Sequence, residues 1–239
     1  MQVVPLNMTI SNLFDTTGSV RCPPFGYFLH ELRSVLVDSP DRLEQSPPVG
    51  DEQIVLVIPG FLTGDALTRP LRQFLDAHGF RSFGWDYGVN FGPTPGAMRH
   101  LRDRVQSLYA ANHGRIALVG VSLGGVMARY LALDFPDRVR HVATLASPFR
   151  LPTASTLEML VRMCEPHYDA EIDLERLAHP LPVPSTAFFT RDDGVVAWES
   201  CRSADADCLN IEVSGPHVAI CRNAAVLDHL LRRLAPPAD

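Results

Sequence analysis

Gly120-Val121-Ser122-Leu123-Gly124 places a lone serine between two glycines, directly after the apolar run "RIALV" and directly before "GGVMARYLALDF". This is the G-x-S-x-G pattern of a tight strand-to-helix turn that presents a serine hydroxyl in strained geometry. Side chains two residues before or after the serine would collide with the turn, so glycine stands at both places. The competing reading is an ordinary turn with a capping serine, because serine is a common N-cap. A serine hydroxyl is a weak nucleophile at neutral pH. Chemistry at Ser122 therefore requires a general base and a group that orients the base.

The elements that must position such groups are legible as a change of pattern at Gln53. From there, short apolar runs alternate with longer amphipathic segments. "IVLVIPG", "RSFGWD", "RIALVG", "HVATLASP", "STAFFT" and "NIEVSG" read as six buried strands. Continuous apolar strands bounded by Gly or Pro predict a mostly parallel sheet covered on both faces. Helices are predicted near Leu67 to His78, Ala97 to Ala111, Gly124 to Phe135 and Ala224 to Leu234. The alternation predicts a doubly wound α/β fold, whose ligands bind beyond the carboxyl ends of the strands.

Before this stretch, residues 1–52 read as a helical extension. Phe25, Phe28, Leu29, Leu32, Val35 and Leu36 recur at three and four, opened by Pro23-Pro24 and closed by Ser39-Pro40. That stripe needs a partner surface, either its own sheet or a second copy in a homodimer. The acid- and Pro-rich "DSPDRLEQSPPVGDEQ" reads as a surface connection. The 239 residues, 46% of them hydrophobic, fit one compact domain with a sizeable core.

Composition excludes several classes. All 21 basic residues are Arg, which removes a P-loop lysine, a lysine Schiff base and a Ser-Lys dyad. A formal charge of −6 gives no electrostatic reason to expect nucleic acid or an anionic membrane. The start has no basic segment followed by an apolar one, and no apolar run is long enough to span a bilayer. The expected location is cytoplasmic, without integral membrane association. Five cysteines without a CxxC pair argue against a disulfide framework and a zinc knuckle, although Cys201 and Cys208 are near enough in sequence to pair. Cys164-Glu-Pro-His167 has loose ligand spacing, and no metal or cofactor is expected.

From Gln53 onward the chain resembles the α/β-hydrolase superfamily, and more narrowly small bacterial lipases and esterases. The resemblance is carried by the elbow at Ser122 and by "FTRDDGVVAWESC", "NIEVSGPHVAICRNAAVLDHL", "PGFLTGD" and "GWDYGVNFGPT". It departs at Val89, where an Arg is expected. Members order their residues Ser, acid, His, each on a loop after a strand. The resemblance implies Asp193 as the acid and His217 as the base. The residues agree. His217 alone among the nine histidines follows a late strand and precedes the final helix, whereas His78, His113, His141 and His229 have ordinary surface or capping places. Asp193 directly precedes the Gly where its loop turns; Asp192 is the alternative acid, and Asp86 a weaker third.

A tetrahedral intermediate needs preformed donors for its oxyanion. The backbone N–H of Leu123, at the helix start, and that of Phe61, in the loop leaving the first strand past Gly60, are the candidates. Residues 149–183 are too long for a simple crossover and read as a short cap. Ser155-Thr-Leu-Glu158 fits a capping box opening a helix that Pro166 stops. Leu157, Leu160, Val161 and Cys164 form its stripe, with Met159 and Met163 beside it. Leu157, Met159, Leu160 and Met163 are the predicted substrate-binding residues, on the reading that adaptable Met side chains cover an acyl pocket. An ordinary crossover helix is the equal alternative. The small insertion predicts short- to medium-chain acyl esters as substrates of a serine esterase or lipase. An acyltransferase, a thioesterase or amidase with the same triad, and a non-catalytic ligand- or partner-binding member of the fold stand as alternatives.

Overall fold

The computed structural model describes residues 14, 20–24, 26–29, 31, 49–112, 114–150, 153–169, 172–173, 176–177 and 179–235. Six strands form its centre: β1 (Ile54–Ile58), β2 (Arg81–Phe83), β3 (Ile116–Val121), β4 (Val139–Leu145), β5 (Ser185–Phe189) and β6 (Cys208–Glu212). All pair in parallel, in the order β2-β1-β3-β4-β5-β6. The order reverses between β1 and β3, and ligands of open parallel sheets bind beyond the strand ends at such a switch point.

Alternation along the strands builds two cores. Ile54, Leu56 and Ile58 of β1 point into one, with Ile116 and Leu118 of β3. There they meet α2 (Pro95–Asn112) through Met98, Leu101 and Val105, and α3 (Leu123–Asp134) through Met127 and Leu131. Val55 and Val57 point the other way and meet α1 (Asp65–Ala77) and α5 (Ala224–Leu234) through Leu71, Leu75, Val226 and Leu230. The sheet is thus covered on both faces, as its continuous apolar strands require. The start of α5 is fixed by Asn223, whose side-chain oxygen accepts from the amides of Ala225 at 3.0 Å and Val226 at 3.2 Å.

The cap helix, α4 (Glu158–Cys164), begins later than its predicted box. Ser155 Oγ accepts from the Leu157 amide at 3.1 Å and donates to the Val195 carbonyl at 2.8 Å. Glu158 accepts from Arg162 Nε at 2.8 Å, one helical turn ahead. Ser155 is therefore tied to the neighbouring loop, Leu157 occupies the N-cap, and no side-chain capping bond forms there. A short 3₁₀ turn, Glu165–His167, containing Pro166, closes the helix as expected.

Of the predicted N-terminal helix, residues 26–29 and 31 are described and are helical; its remainder, and the connection up to residue 48, lie outside the described residues. The described part lies against its own chain: a side chain at Gly194 would come within 2.5 Å of the Tyr27 backbone. Phe14 pairs with Thr153 of the cap through an isolated bridge. Cys22, Cys164, Cys201, Cys208 and Cys221 are free thiols. No helix among the described residues is long and apolar enough to cross a membrane.

Candidate active site

Ser122 stands in the turn between β3 and α3 with φ 51° and ψ −124°, a region a side chain rarely occupies. Such strain persists only where the surroundings impose it. Here they do. A Cβ on Gly120 would strike the backbone of Gly124 and Gly125, and one on Gly124 would strike the carbonyls of Ile58 and Pro59. The Ser122 amide donates to the Leu145 carbonyl of β4 at 2.8 Å, and the Gly125 amide donates to the Ser122 carbonyl at 2.9 Å. Its side chain makes no capping bond, so the hydroxyl is not consumed by the turn. The capping-serine reading does not describe this residue.

The loops after β5 and β6 bring Asp193 and His217 together. Nδ1 of the imidazole and Oδ2 of the carboxylate are 2.7 Å apart, and both residues are buried. The other carboxylate oxygen, Oδ1, accepts from the Val195 and Val196 amides, each at 2.8 Å. With Nδ1 facing a carboxylate, the proton sits on Nδ1 and leaves Nε2 as the acceptor. Burial acts to lower the His217 pKa, but the charge and hydrogen bond of Asp193 and the charge of Glu31 more than offset it, leaving it above the ordinary 6.5. Asp192, the alternative acid, spends Oδ2 on the Gly215 amide at 2.9 Å and so shapes the histidine loop instead. Asp86 is paired with Arg104 at 2.6 Å on the surface.

Gly60 passes close to the serine: a Cβ there would sit 3.2 Å from Ser122 Cβ. Phe61 and Leu123 both line the cavity that contains Ser122. Leu123 opens α3, where leading N–H groups lack intrahelical partners. The loop carrying Phe61 is held by Asn90, a fully buried residue to which sequence reasoning assigned no role. Asn90 Nδ2 donates to the Pro59 carbonyl at 2.7 Å, its carbonyl accepts from Leu62 at 2.7 Å, and its amide donates to Thr63 at 2.8 Å. An asparagine within "GWDYGVNFGPT" was the available signal.

The cavity at Ser122 is apolar and small, about 50 Å³. Phe14, Val126, Leu157, Val161, Val195 and Val196 are among its walls. Val195 and Val196 are the residues whose amides hold Asp193, so the acid loop also forms the pocket wall. Thr153 and Ser155 reach the lining too, but their hydroxyls are bound to Ser200 and to the Val195 carbonyl.

Of the four residues predicted to bind substrate, only Leu157 lines this cavity. Met159 is 75% and Met163 67% exposed, and Leu160 is exposed as well. This placement has a simple geometric cause. Val161 and Cys164 occupy the inward face of α4 and pack on the main core, and Leu157 at its N-cap packs on the cluster of Phe189, Val195 and Val196, while Met159 and Met163 form the outer surface with Glu158 and Arg162. Among the described residues there is no group of three side chains suited to hold a metal ion.

A family described as alpha/beta hydrolase fold matches residues 53–175, a span that includes Ser122 and ends before Asp193 and His217. The chain belongs to this family. Among solved structures it is similar to a Paleococcus ferrophilus monoacylglycerol lipase, at 15% identity over 78% of this chain and 96% of that one, with a TM-score of 0.56. It is similar also to the mature form of a Bacillus licheniformis lipase, at 14% identity over 82% and 97%, with a TM-score of 0.59. A thioesterase domain from the curacin biosynthetic pathway shares the fold at 14% identity over 78% and 93%, with a TM-score of 0.54. One 35-residue stretch is 60% identical to a homoserine O-succinyltransferase of Nitrosomonas eutropha; it spans 15% of this chain and 9% of that enzyme.

Proposed function

We propose that the protein is a serine carboxylester hydrolase acting on short- to medium-chain acyl esters. The observation that carries this reading is the buried 2.7 Å contact between His217 Nδ1 and Asp193 Oδ2; the acid loop, through Val195 and Val196, shares a cavity with the strained, uncapped Ser122. Ser122 Oγ attacks the ester carbonyl while His217 Nε2 takes its proton, and the Oγ–C bond forms as the carbonyl π pair moves onto oxygen. The amides of Phe61 and Leu123 receive that oxyanion. His217 then protonates the departing alkoxide, the ester C–O bond breaks, and water repeats the sequence on the acyl-enzyme to release the acid. Asp193 holds the imidazole tautomer and stabilises the imidazolium.

Two further features support the substrate class. The cavity beside Ser122 is apolar, which suits an acyl chain. Its 50 Å³ is well below the roughly 300–1,000 Å³ of pockets for drug-sized ligands, which favours the short end of the range. The proposed setting is the cytoplasm, consistent with five free cysteines.

The test is the mass of the intact protein after exposure to a fluorophosphonate, on wild type and Ser122→Ala. The expected result is one phosphonyl adduct on wild type, formed as Oγ displaces fluoride, and none on the variant. Folded wild type without an adduct would sink the reading in favour of a ligand-binding role. A second reading, acyl transfer to an alcohol, amine or thiol, is favoured only by the short likeness to the succinyltransferase. Product analysis with added alcohol separates the two: transfer yields a new ester faster than free acid.

A further inference from the structure

Glu31 is a carboxylate from the N-terminal helix that is 2% exposed and lies amid the loops of the acid and the base. Oε1 accepts from the Gly194 amide at 2.9 Å and from the His217 amide at 2.7 Å. Oε2 accepts from the Val218 amide at 2.9 Å. Gly194 directly follows Asp193, and His217 and Val218 open the 3₁₀ helix His217–Arg222, where leading N–H groups lack partners within the helix. A single oxygen therefore bridges the loop after β5 to the loop after β6. The close approach of Gly194 to Tyr27 leaves the acid loop in direct contact with the helix that carries this carboxylate.

We propose that Glu31 is a positioning residue, whose carboxylate clamps the Asp193 loop to the His217 loop and so sets the geometry of the acid–base pair. The proposal rests on the Ser122–His217–Asp193 reading above. Its physical basis is twofold. Asp193 is anchored by its own loop, through Val195 and Val196, but those bonds do nothing to fix where the histidine loop lies. Asp192 and Thr190 tie the acid loop to Gly215, two residues before the base, and Glu31 adds the restraint at His217 itself with three charge-assisted bonds, roughly twice as strong as neutral ones. Truncation would leave three inward-facing amides without partners, and buried unsatisfied donors make a conformation costly. The loops would then relax apart, and a displacement of about 1 Å at a catalytic centre can cost on the order of 10²-fold in rate.

The experiment compares wild type with Glu31→Ala and Glu31→Gln, using p-nitrophenyl butyrate turnover per folded protein. In parallel, the low-field proton resonance of the His217 Nδ1–H is read by NMR. For Glu31→Ala the expected kcat is about 10²-fold lower with KM nearly unchanged, because Glu31 is not a wall of the acyl cavity. The resonance should move upfield and broaden. For Glu31→Gln, which keeps one acceptor and loses the charge, a smaller fall in kcat and a smaller shift are expected; this variant carries the test if the alanine variant does not fold. A lower melting temperature with wild-type kcat and an unmoved resonance would overturn the proposal and leave Glu31 a stabilising residue only. The resonance needs no turnover, so it reports on Glu31 even if Ser122→Ala, run alongside, retains activity and the triad reading itself fails.

Discussion

The turn at Ser122 and the turn at His217 are built in opposite ways. Around Ser122 the constraints are largely local: two glycines that admit no side chain, a strand that ends on the serine and a helix that starts after it. Around His217 they are remote. The ring is held by a carboxylate 24 residues earlier and the backbone by another 186 residues earlier. A nucleophile needs one fixed, strained conformation, and a short motif can encode that. A base needs to be aimed at an atom from another loop, and that requires contacts across the fold.

The sharpest way to break this comparison is to remove the proposed nucleophile. Ser122→Ala should cost about six orders of magnitude in kcat, the loss seen for the nucleophile of a comparable protease triad, with the melting temperature little changed. Esterase assays with active-site labelling check it; retained turnover would mean the local turn is only a turn. Next comes the proposed orienting acid. Asp193→Asn keeps the shape and should cost about 10⁴-fold in kcat, because the amide favours the wrong imidazole tautomer. A loss confined to KM would argue that Asp193 shapes the pocket and leaves the base alone.

That division explains what could be read from the chain. Four of the strands were legible as short, buried apolar runs bounded by breakers, whereas the edge strands β2 and β6, read as buried, are partly exposed because each has a neighbour on one side only; Asp193 was favoured over Asp192 because it precedes the turning glycine. Glu31 carried no such signal. It lies between the stripe residues Leu29 and Leu32 and outside the apolar stripe itself, and its three partners lie 163 to 187 residues away. Asn90 was hidden for a related reason: its value lies in four bonds to loops on both sides of it. The cap failed at finer scale. Ser155 fits a capping box in sequence, yet its hydroxyl is drawn to Val195 across the site, so the helix starts later than its predicted box.

Electrostatics gives a smaller and more discriminating effect. In the proposed mechanism His217 is neutral when it accepts the serine proton, and against the lowering effect of burial its pKa is raised by Asp193 and Glu31. The acid limb of the pH profile of kcat/KM should therefore have its midpoint above 6.5. Removing a negative charge disfavours the imidazolium, so Glu31→Gln should shift that midpoint to lower pH. A midpoint that does not move would show that the remote carboxylate acts on the base through geometry alone.

The smallest effect is predicted on the outer face of the cap, where the two sides of one short helix can be set against each other. Met159 and Met163 are exposed and are not among the residues that line the cavity, so Met159→Ser with Met163→Ser should leave KM unchanged and alter stability by no more than about 0.5 kcal/mol per site, as for most surface substitutions. Leu157→Ala with Val161→Ala enlarges the cavity beside Ser122. It should move the preferred p-nitrophenyl ester to a longer chain, at a stability cost from lost packing against Phe189, Val195 and the main core. A chain-length panel on both double variants reads the difference directly. A shift caused by the methionines would mean that α4 turns its outer face inward when the ester binds, whereas a shift confined to Leu157 and Val161 makes the inner face of the cap the ruler for acyl length.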